Sequence, residues 1–460
     1  MLRADDLLSG LRGRVREVHD RQFADLSFGG VCIDSRQARP GDLFVALRGE
    51  RDDGHNHIDD AIARGATGVI ASLDWSVQRP LPEKSAGFLL VPDPLGALQE
   101  IAAWWRGAHE VRVVAVTGSV GKTSTKEAIA GVLGQRYGVL RNASNYNNEI
   151  GLPLTLLQLN GTHERAVLEM GMYDLGDIAL LCRLAVPQVG VVTNVGDSHL
   201  ERLGTRERIA QAKGELVESL PEQGTAILNG DDPHVRGMAG RGRSRVLLFG
   251  CQPGLDLWAG DISSRGLSGL SMTLHRGEDT VLVTTPLVGR HNVYTVLAAA
   301  AVGLVEGLSW DEVVRGLSME QGSLRLAVKP GIRGSTIIDD CYNASPASTL
   351  AALDLLSEVT GRKVAVLGDM LELGPAELTG HQAVGMQAGK LVDCLIVVGC
   401  RARYIGDQAR AAGLREVYYV DANQEAVKHL WRILGPGDHV LVKGSRGMRM
   451  EEIVEAIKEG

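Results

Sequence analysis

Short apolar runs rich in β-branched residues alternate along most of this chain with longer stretches in which apolar residues recur every three or four positions. The first pattern predicts buried strands and the second amphipathic helices, so the alternation predicts an α/β protein. Over the first ninety or so residues it places a short helix at Leu2–Leu11, strands at Val31–Ile33, Leu43–Ala46, Gly68–Ala71 and Phe88–Val91, and a helix at Ile58–Gly65. Pro92 and Pro94 mark a boundary before a helix at Leu95–His109. Strands follow at Val111–Val116, Gly138–Arg141, Arg165–Gly171, Val189–Val195, Thr225–Asn229 and Arg245–Gly250, with a clear helix at Arg206–Leu220. That is the pattern of a mostly parallel sheet with helices on both faces. Between Leu257 and Leu287 the runs become short, alternating and glycine-punctuated, which predicts an antiparallel annex, and a helix at Asn292–Gly307 comes next.

A second break falls near Met319–Ser323. Beyond it a new series has strands at Thr336–Asp340, Lys363–Gly368, Cys394–Val398, Glu416–Val420 and His439–Lys443, with helices at Ser345–Leu356, Gly380–Lys390 and Met450–Lys458. The expected architecture is three α/β domains: a small N-terminal one over 1–92, a central one with a mostly parallel sheet over 93–320, and a Rossmann-like doubly wound one over 321–460.

Composition narrows the function. The 460 residues are 44% hydrophobic and 23% charged, which is ordinary for a soluble globular protein. A net charge of −8 and the lack of a basic block argue against a nucleic-acid partner. The six cysteines form no C-x-x-C pair and several sit in apolar runs, so reduced thiols are expected rather than a disulfide frame or a zinc site. No apolar run is long enough to span a bilayer and the N-terminus lacks an apolar signal core, so a cytoplasmic protein is expected.

The stretch Ala115–Glu127, AVTGSVGKTSTKE, carries the chemistry. A β-branched strand ends at Thr117 and Gly118, the turn runs through Ser119, Val120 and Gly121, and a helix starts at Lys122, Thr123 and Ser124. In that geometry backbone N–H groups and a helix N-terminus wrap a polyphosphate, a lysine neutralises its outer phosphates and a hydroxyl meets Mg2+. Val116 stands where a full Walker pattern has glycine, so the loop is a variant. No N-K-x-D guanine motif accompanies it, which disfavours a GTPase.

Ligands of open α/β sheets bind at the carboxyl ends of the strands, and that rule ranks the remaining polar residues. Glu169 ends a strand and suits either a metal ion or the next turn. His199 follows a strand end that also carries Asn194, Asp197 and Glu201; it suits a ligand or a satisfied surface residue. Lys213 lies in a helix and reads by default as a surface lysine. Asn292 either caps its helix or meets an adenine. Asp339 and Asp340 end a strand before Asn343 and Ser345. Arg325, Lys443 and Arg446 are cations suited to an anionic substrate, or to rim salt bridges worth little.

Together these stretches resemble the Mur ligases, the ATP-dependent amide-forming enzymes of bacterial cell-wall assembly, over essentially the whole chain. TGSVGKTSTKE resembles the family's phosphate loop, EMGMYDLGDI, TNVGDSHLERLG and AKGEL its metal-site stretches, GRHN its adenine stretch and KGSR its C-terminal motif. DSRQARPGDLFVALRGE followed by DGH resembles the uridine-diphosphate-binding domain of the two later ligases, and NASNYNNEIG with DDCYNAS the last of them. The resemblance implies a UDP-linked muramoyl tripeptide and D-Ala-D-Ala as substrates, ATP and Mg2+ as cofactors, an acyl-phosphate intermediate, and a monomer. It implies catalytic roles for Lys122, His199, Lys213 and Arg325, with Lys213 carbamylated, and metal ligation by Thr123, Glu169, His199 and Lys213. It implies nucleotide contacts from residues 117–124, Asn292, Arg325 and Asp340. Ser35, Arg36, Asn145, Asn147, Asn148, Asn343 and Lys443 would hold substrate. Two other readings remain: a different amide ligase of the same core, and a nucleotide-binding regulator without chemistry.

Overall fold

The computed structural model describes residues 2–11, 17–19, 26–49, 52–78, 86–143, 145–198, 200–319 and 326–459. Three α/β sheets account for almost all of the strands, and most of their pairings are parallel. The chain packs into two compact units, with Met1–Ala115, Tyr137–Met172 and Gly176–Gln188 in the first, and Val116–Arg136, Tyr173–Leu175 and Val189–Gly460 in the second. That division differs from the domain boundaries expected at 92 and 320. It cuts the strand Arg112–Thr117 between Ala115 and Val116.

The first unit holds a five-stranded sheet in the order Glu17–His19, Gly87–Val91, Gly68–Ser72, Leu43–Val45, Val31–Cys32. Leu43–Val45, Gly68–Ser72 and Gly87–Val91 are buried throughout, so period-two alternation gives them two apolar faces. Leu43, Val45, Ile70, Leu89 and Val91 pack on one side against Leu7 and Leu11 of the helix Ala4–Leu11 and Leu98 and Ile101 of the helix Pro94–Gly107. Phe44, Val69, Ala71, Phe88 and Leu90 pack on the other against Ile58 and Ala61. Pro94 opens its helix instead of lying in a linker: Asp93 caps the Leu95 N–H at 3.0 Å and proline takes a first-turn position. The expected helix at Leu2 starts two residues late, because Leu2–Arg3 pairs as a strand with Ser27–Phe28. The same unit carries Val139–Arg141 and Arg165–Glu169, paired in parallel, which belong to a nine-stranded sheet.

In the second unit that sheet continues through Val189–Val192, Thr225–Asn229, Arg245–Gly250, Leu257–Ser264, Leu270–Arg276 and Asp279–Thr285. The last three strands pair antiparallel with one another, as the glycine-punctuated pattern predicted. The phosphate-loop helix Lys122–Leu133 packs against Val293–Val305 and Trp310–Ser318 through glycines. A Cβ on Gly316 would meet the Val132 Cα at 2.5 Å, and one on Gly303 the Val132 Cγ1 at 2.6 Å.

The six-stranded sheet runs Ala327–Gly331, Ser335–Asp339, His439–Lys443, Lys363–Gly368, Cys394–Val398, Glu416–Val420. Val364 and Val366 face one apolar layer while Ala365 and Leu367 face the other, so the sheet is covered by helices on both sides. The sequence pattern missed Ala327–Gly331, an antiparallel edge strand. Pro330 sits in it, and an edge is where a strand tolerates proline.

Two outcomes are expected from the helix Trp310–Ser318. Gly316→Val wedges a branched side chain against the phosphate-loop helix and should cost about 1–3 kcal/mol of unfolding free energy in a urea melt. Glu312 accepts from Arg136 and from the Ser309 N–H, and the Arg136 bond above all holds its carboxyl down at about 2 against the usual 4.5. A depressed carboxyl stabilises the fold above its unfolded pKa, and that contribution fades as pH falls from about 4.5 through 2. Acid melts of Glu312→Gln should therefore lack this component.

Candidate active site

The strand Arg112–Thr117 is buried from Val113 onward and delivers the chain to Gly118. Gly118 has φ 153°, and a Cβ there would meet the Thr193 Oγ at 1.9 Å. Gly121 has φ 84° with open space around it, so here the backbone conformation and not crowding demands glycine. The residues between are tied to the strand end that follows Val189–Val192. Ser119 N–H donates to the Asn194 carbonyl at 3.0 Å and Val120 N–H to the Asn194 Oδ1 at 2.9 Å. Asn194 Nδ2 and Thr193 Oγ both donate to the Val120 carbonyl, at 2.9 and 2.7 Å, and Gly196 N–H donates to the Ser119 Oγ at 2.8 Å. The helix beginning at Lys122 has glycine at its N-cap and so no side-chain cap from that residue, and a helix start after a glycine loop is where a phosphate binds. Lys122 Nζ folds over the loop and donates to the Gly118 and Ser119 carbonyls at 2.8 and 3.3 Å. Thr123 is buried and Ser124 half-buried at the helix start.

Lys213 is not a surface lysine. It is 1% exposed on the inner face of the helix Arg206–Glu218. Burial, with a smaller push from the Lys122 charge, holds its pKa well below the ordinary lysine value and favours the neutral amine. Asp197, at the same polar strand end, is taken by a two-pronged pair with Arg206 at 2.6 and 2.7 Å, which lowers its pKa. His199 and Arg325 lie outside the described residues.

Glu169, in the first unit, is fully buried at the end of Arg165–Glu169. Asn147 Nδ2 donates to its Oε1 at 2.8 Å, and the Asn142 amide pairs with its backbone N–H and carbonyl at 2.9 and 3.0 Å. Asn148 instead spends its Oδ1 on the Gly151 N–H at the start of a helix, at 2.9 Å, and Asn145 is exposed. Ser35 is buried in a turn, and Arg36 is held by Asp34 through two bonds of 2.9 and 2.7 Å.

Asn292 is buried, and its side chain makes no cap; its Nδ2 donates to the Val288 carbonyl at 2.8 Å and its Oδ1 accepts from Thr295 at 3.1 Å. Next to it, His291 is exposed. Surrounding protein nonetheless lowers its pKa, opposed by the Asp340 charge and reinforced by Lys443. Asp340, Asn343 and Lys443 meet at the carboxyl ends of two neighbouring parallel strands, where Asp339 pairs with Val442. Lys443 Nζ, 2% exposed, donates to the Asp340 Oδ2 at 2.5 Å and to the Asn343 carbonyl at 2.9 Å.

Sequence reasoning covered Thr193 and Asn142 only inside the stretches TNVGDSHLERLG and NASNYNNEIG and gave neither a role of its own. It noticed Asn194 only as part of a polar strand end, although T-N directly after a strand beside a glycine loop was the available signal. Among the described residues no three or more His, Cys, Asp or Glu side chains group as a metal site. Buried Glu169 and Thr123 are nevertheless hard oxygen donors of the kind that Mg2+ takes. Because Asn194 makes two of the bonds that fix Val120, Asn194→Ala should weaken ADP binding about 10-fold in calorimetric titration, the worth of one or two such bonds.

Three family models match the chain: the Mur ligase family catalytic domain over 27–106, the Mur ligase middle domain over 116–303 and the Mur ligase glutamate ligase domain over 324–446. The UDP-N-acetylmuramoyl-tripeptide–D-alanyl-D-alanine ligase of Bacillus subtilis is 37% identical over 443 residues, 95% of each chain. A crystal structure of MurF from Acinetobacter baumannii superimposes with TM-score 0.87 at 30% identity, covering 98% of each chain. MurF from Thermotoga maritima in complex with ADP gives TM-score 0.80 at 31% identity over 93% of this chain and 96% of that one. With a phosphate loop clamped for nucleotide, the expected sheets and full-length relatives above 30% identity, the chain belongs to the Mur ligase family.

Proposed function

We propose that this chain is the ATP-dependent ligase that joins D-Ala-D-Ala to UDP-N-acetylmuramoyl-tripeptide in peptidoglycan precursor synthesis, releasing ADP and phosphate. The observation that carries the reading is Lys213, buried in a helix of the nucleotide-loop unit, where burial and, to a smaller degree, the Lys122 charge hold its pKa well below the ordinary lysine value.

The chemistry follows from the charges. The tripeptide's terminal carboxylate attacks the γ-phosphate of ATP and ADP leaves. The dipeptide amine then attacks the acyl phosphate, and phosphate departs from the tetrahedral adduct. Two anions meet in the first step, so charge neutralisation is the main demand. Lys122 supplies a cation and the helix N-terminus a row of N–H donors. Bound Mg2+ would supply further neutralisation, with Thr123, Glu169, His199 and Lys213 keeping the ligand roles that the family implies for each. A neutral Lys213 amine is the form that adds to CO2; it loses a proton and becomes a carbamate, which turns a would-be cation into a metal-binding carboxylate. Asn292 holds the adenine stretch in place, and Arg325 and Asp340 belong to the nucleotide's other wall. Uridine-linked substrate is assigned to residues 1–92, ATP to 93–320 and closure over both to 321–460. The enzyme works in the cytoplasm as a monomer. No described helix is long and apolar enough to cross a membrane.

Phosphate release should require ATP, UDP-MurNAc-tripeptide and D-Ala-D-Ala together; release that is equally fast without either amide partner would refute the assignment. Lys213→Ala should lose most of this activity while still binding ADP. Wild-type enzyme stripped of CO2 should slow and recover on adding bicarbonate, and full activity with a plain amine at Lys213 would rule the carbamate out.

A further inference from the structure

The dipeptide reaches the site with its amine, the nucleophile, at one end and a free carboxylate at the other. Some cation must hold that carboxylate so that the amine points at the acyl carbon, and most cations near the site are already committed. Lys122 bonds its own loop, and Arg206 is paired with Asp197. Lys443 directs its ammonium at three oxygens, the Asp340 carbonyl and Oδ2 and the Asn343 carbonyl, which uses all three of its donors.

Arg446 is different. Its backbone N–H donates to the Asn343 Oδ1 at 3.4 Å, so it belongs to the same strand-end cluster whose charges act on His291 of the adenine stretch. Its side chain is 67% exposed, its guanidinium makes no hydrogen bond among the described residues, and its ion pair there, with Glu451 at 4.0 Å, is long beside the 2.6 Å pair of Arg206. The guanidinium lies over the Tyr342 ring, 5.3 Å from its centroid. A guanidinium steadied by a ring face keeps its planar fork for a carboxylate.

We propose that Arg446, backed by Tyr342, binds the carboxylate of the incoming dipeptide, and that Lys443 positions the Asp340–Asn343 turn beneath it without touching substrate. The inference rests on the ligase reading above. Arg202, over the Tyr173 ring at 5.4 Å, is the rival guanidinium.

The test compares D-Ala-D-Ala with D-alanyl-D-alaninamide, which lacks the carboxylate, by phosphate release. Wild type should favour the acid in kcat/KM by about 10- to 100-fold, the range expected for a hydrogen bond to a charged group. Arg446→Gln should bring that ratio near one by raising the KM for D-Ala-D-Ala, with the KM values for ATP and UDP-MurNAc-tripeptide unchanged, and Arg446→Lys should recover part of the preference. A ratio unchanged in Arg446→Gln, or one that collapses in Arg202→Gln instead, overturns the proposal. A wild type that uses acid and amide equally well also overturns it and leaves the ligase reading intact; a wild type that accepts neither removes the ligase reading and the proposal with it.

Discussion

A methyl group on Gly118 would sit 1.9 Å from the Thr193 hydroxyl, and the rest of the site depends on that closeness. A glycine loop alone is a flexible segment, because glycine gives up more backbone freedom on ordering than any other residue. Here the cost is offset by bonds from Thr193, Asn194 and Gly196, which hold Ser119 and Val120 on both sides. Each is worth about 0.5–1.5 kcal/mol net. Together they pre-form the cradle, so a polyphosphate meets N–H groups already aimed at it. A pre-formed cradle spends less of the binding energy on ordering the loop.

The same strand end explains the placement of charge. Between the loop and the helix Arg206–Glu218, burial above all, with a smaller push from the Lys122 charge, holds the Lys213 pKa well below the ordinary lysine value. Lys122 spends its ammonium on the Gly118 and Ser119 carbonyls. Lys213 is 1% exposed, and its burial disfavours the charged form. An arginine at 213 would stay charged and repel Lys122, and an exposed lysine would stay protonated. Burial is therefore what gives Lys213 its chemistry.

Much of the fold was legible. Thr225–Asn229, Arg245–Gly250, Lys363–Gly368, Cys394–Val398, Glu416–Val420 and His439–Lys443 occupy the ranges that their apolar runs predicted, most plainly Lys363–Gly368 and Cys394–Val398, where strands buried on both faces read as unbroken hydrophobic stretches. Ala327–Gly331 did not read as a strand, since edge strands keep polar positions and tolerate proline. At the site, the glycine–lysine–threonine loop was readable because its chemistry is local. Lys213 was not, since helical periodicity cannot say which face of a polar helix is covered. Nor were the tasks of the asparagines: Asn147 orients Glu169, Asn148 starts a helix and Asn292 braces a turn, three jobs that one residue type performs equally well.

The last strand end shows how a buried ion pair can serve geometry more than stability. Taking Lys443 and Asp340 out of water costs several kcal/mol per ion, and their attraction roughly cancels that cost. What the pair adds is direction. Lys443 ends one parallel strand and Asp340 follows the other, and the ammonium also grips the Asn343 carbonyl, so the turn between Asp340 and Ser345 can adopt only one course. Ser345 then caps the helix that Pro346 opens. An apolar pair of equal volume would pack as well but would not fix where Asn343 and the neighbouring Tyr342 ring lie. A surface that must present donors to a small zwitterion gains from that fixity, because a misplaced guanidinium loses its bidentate geometry before it loses its charge.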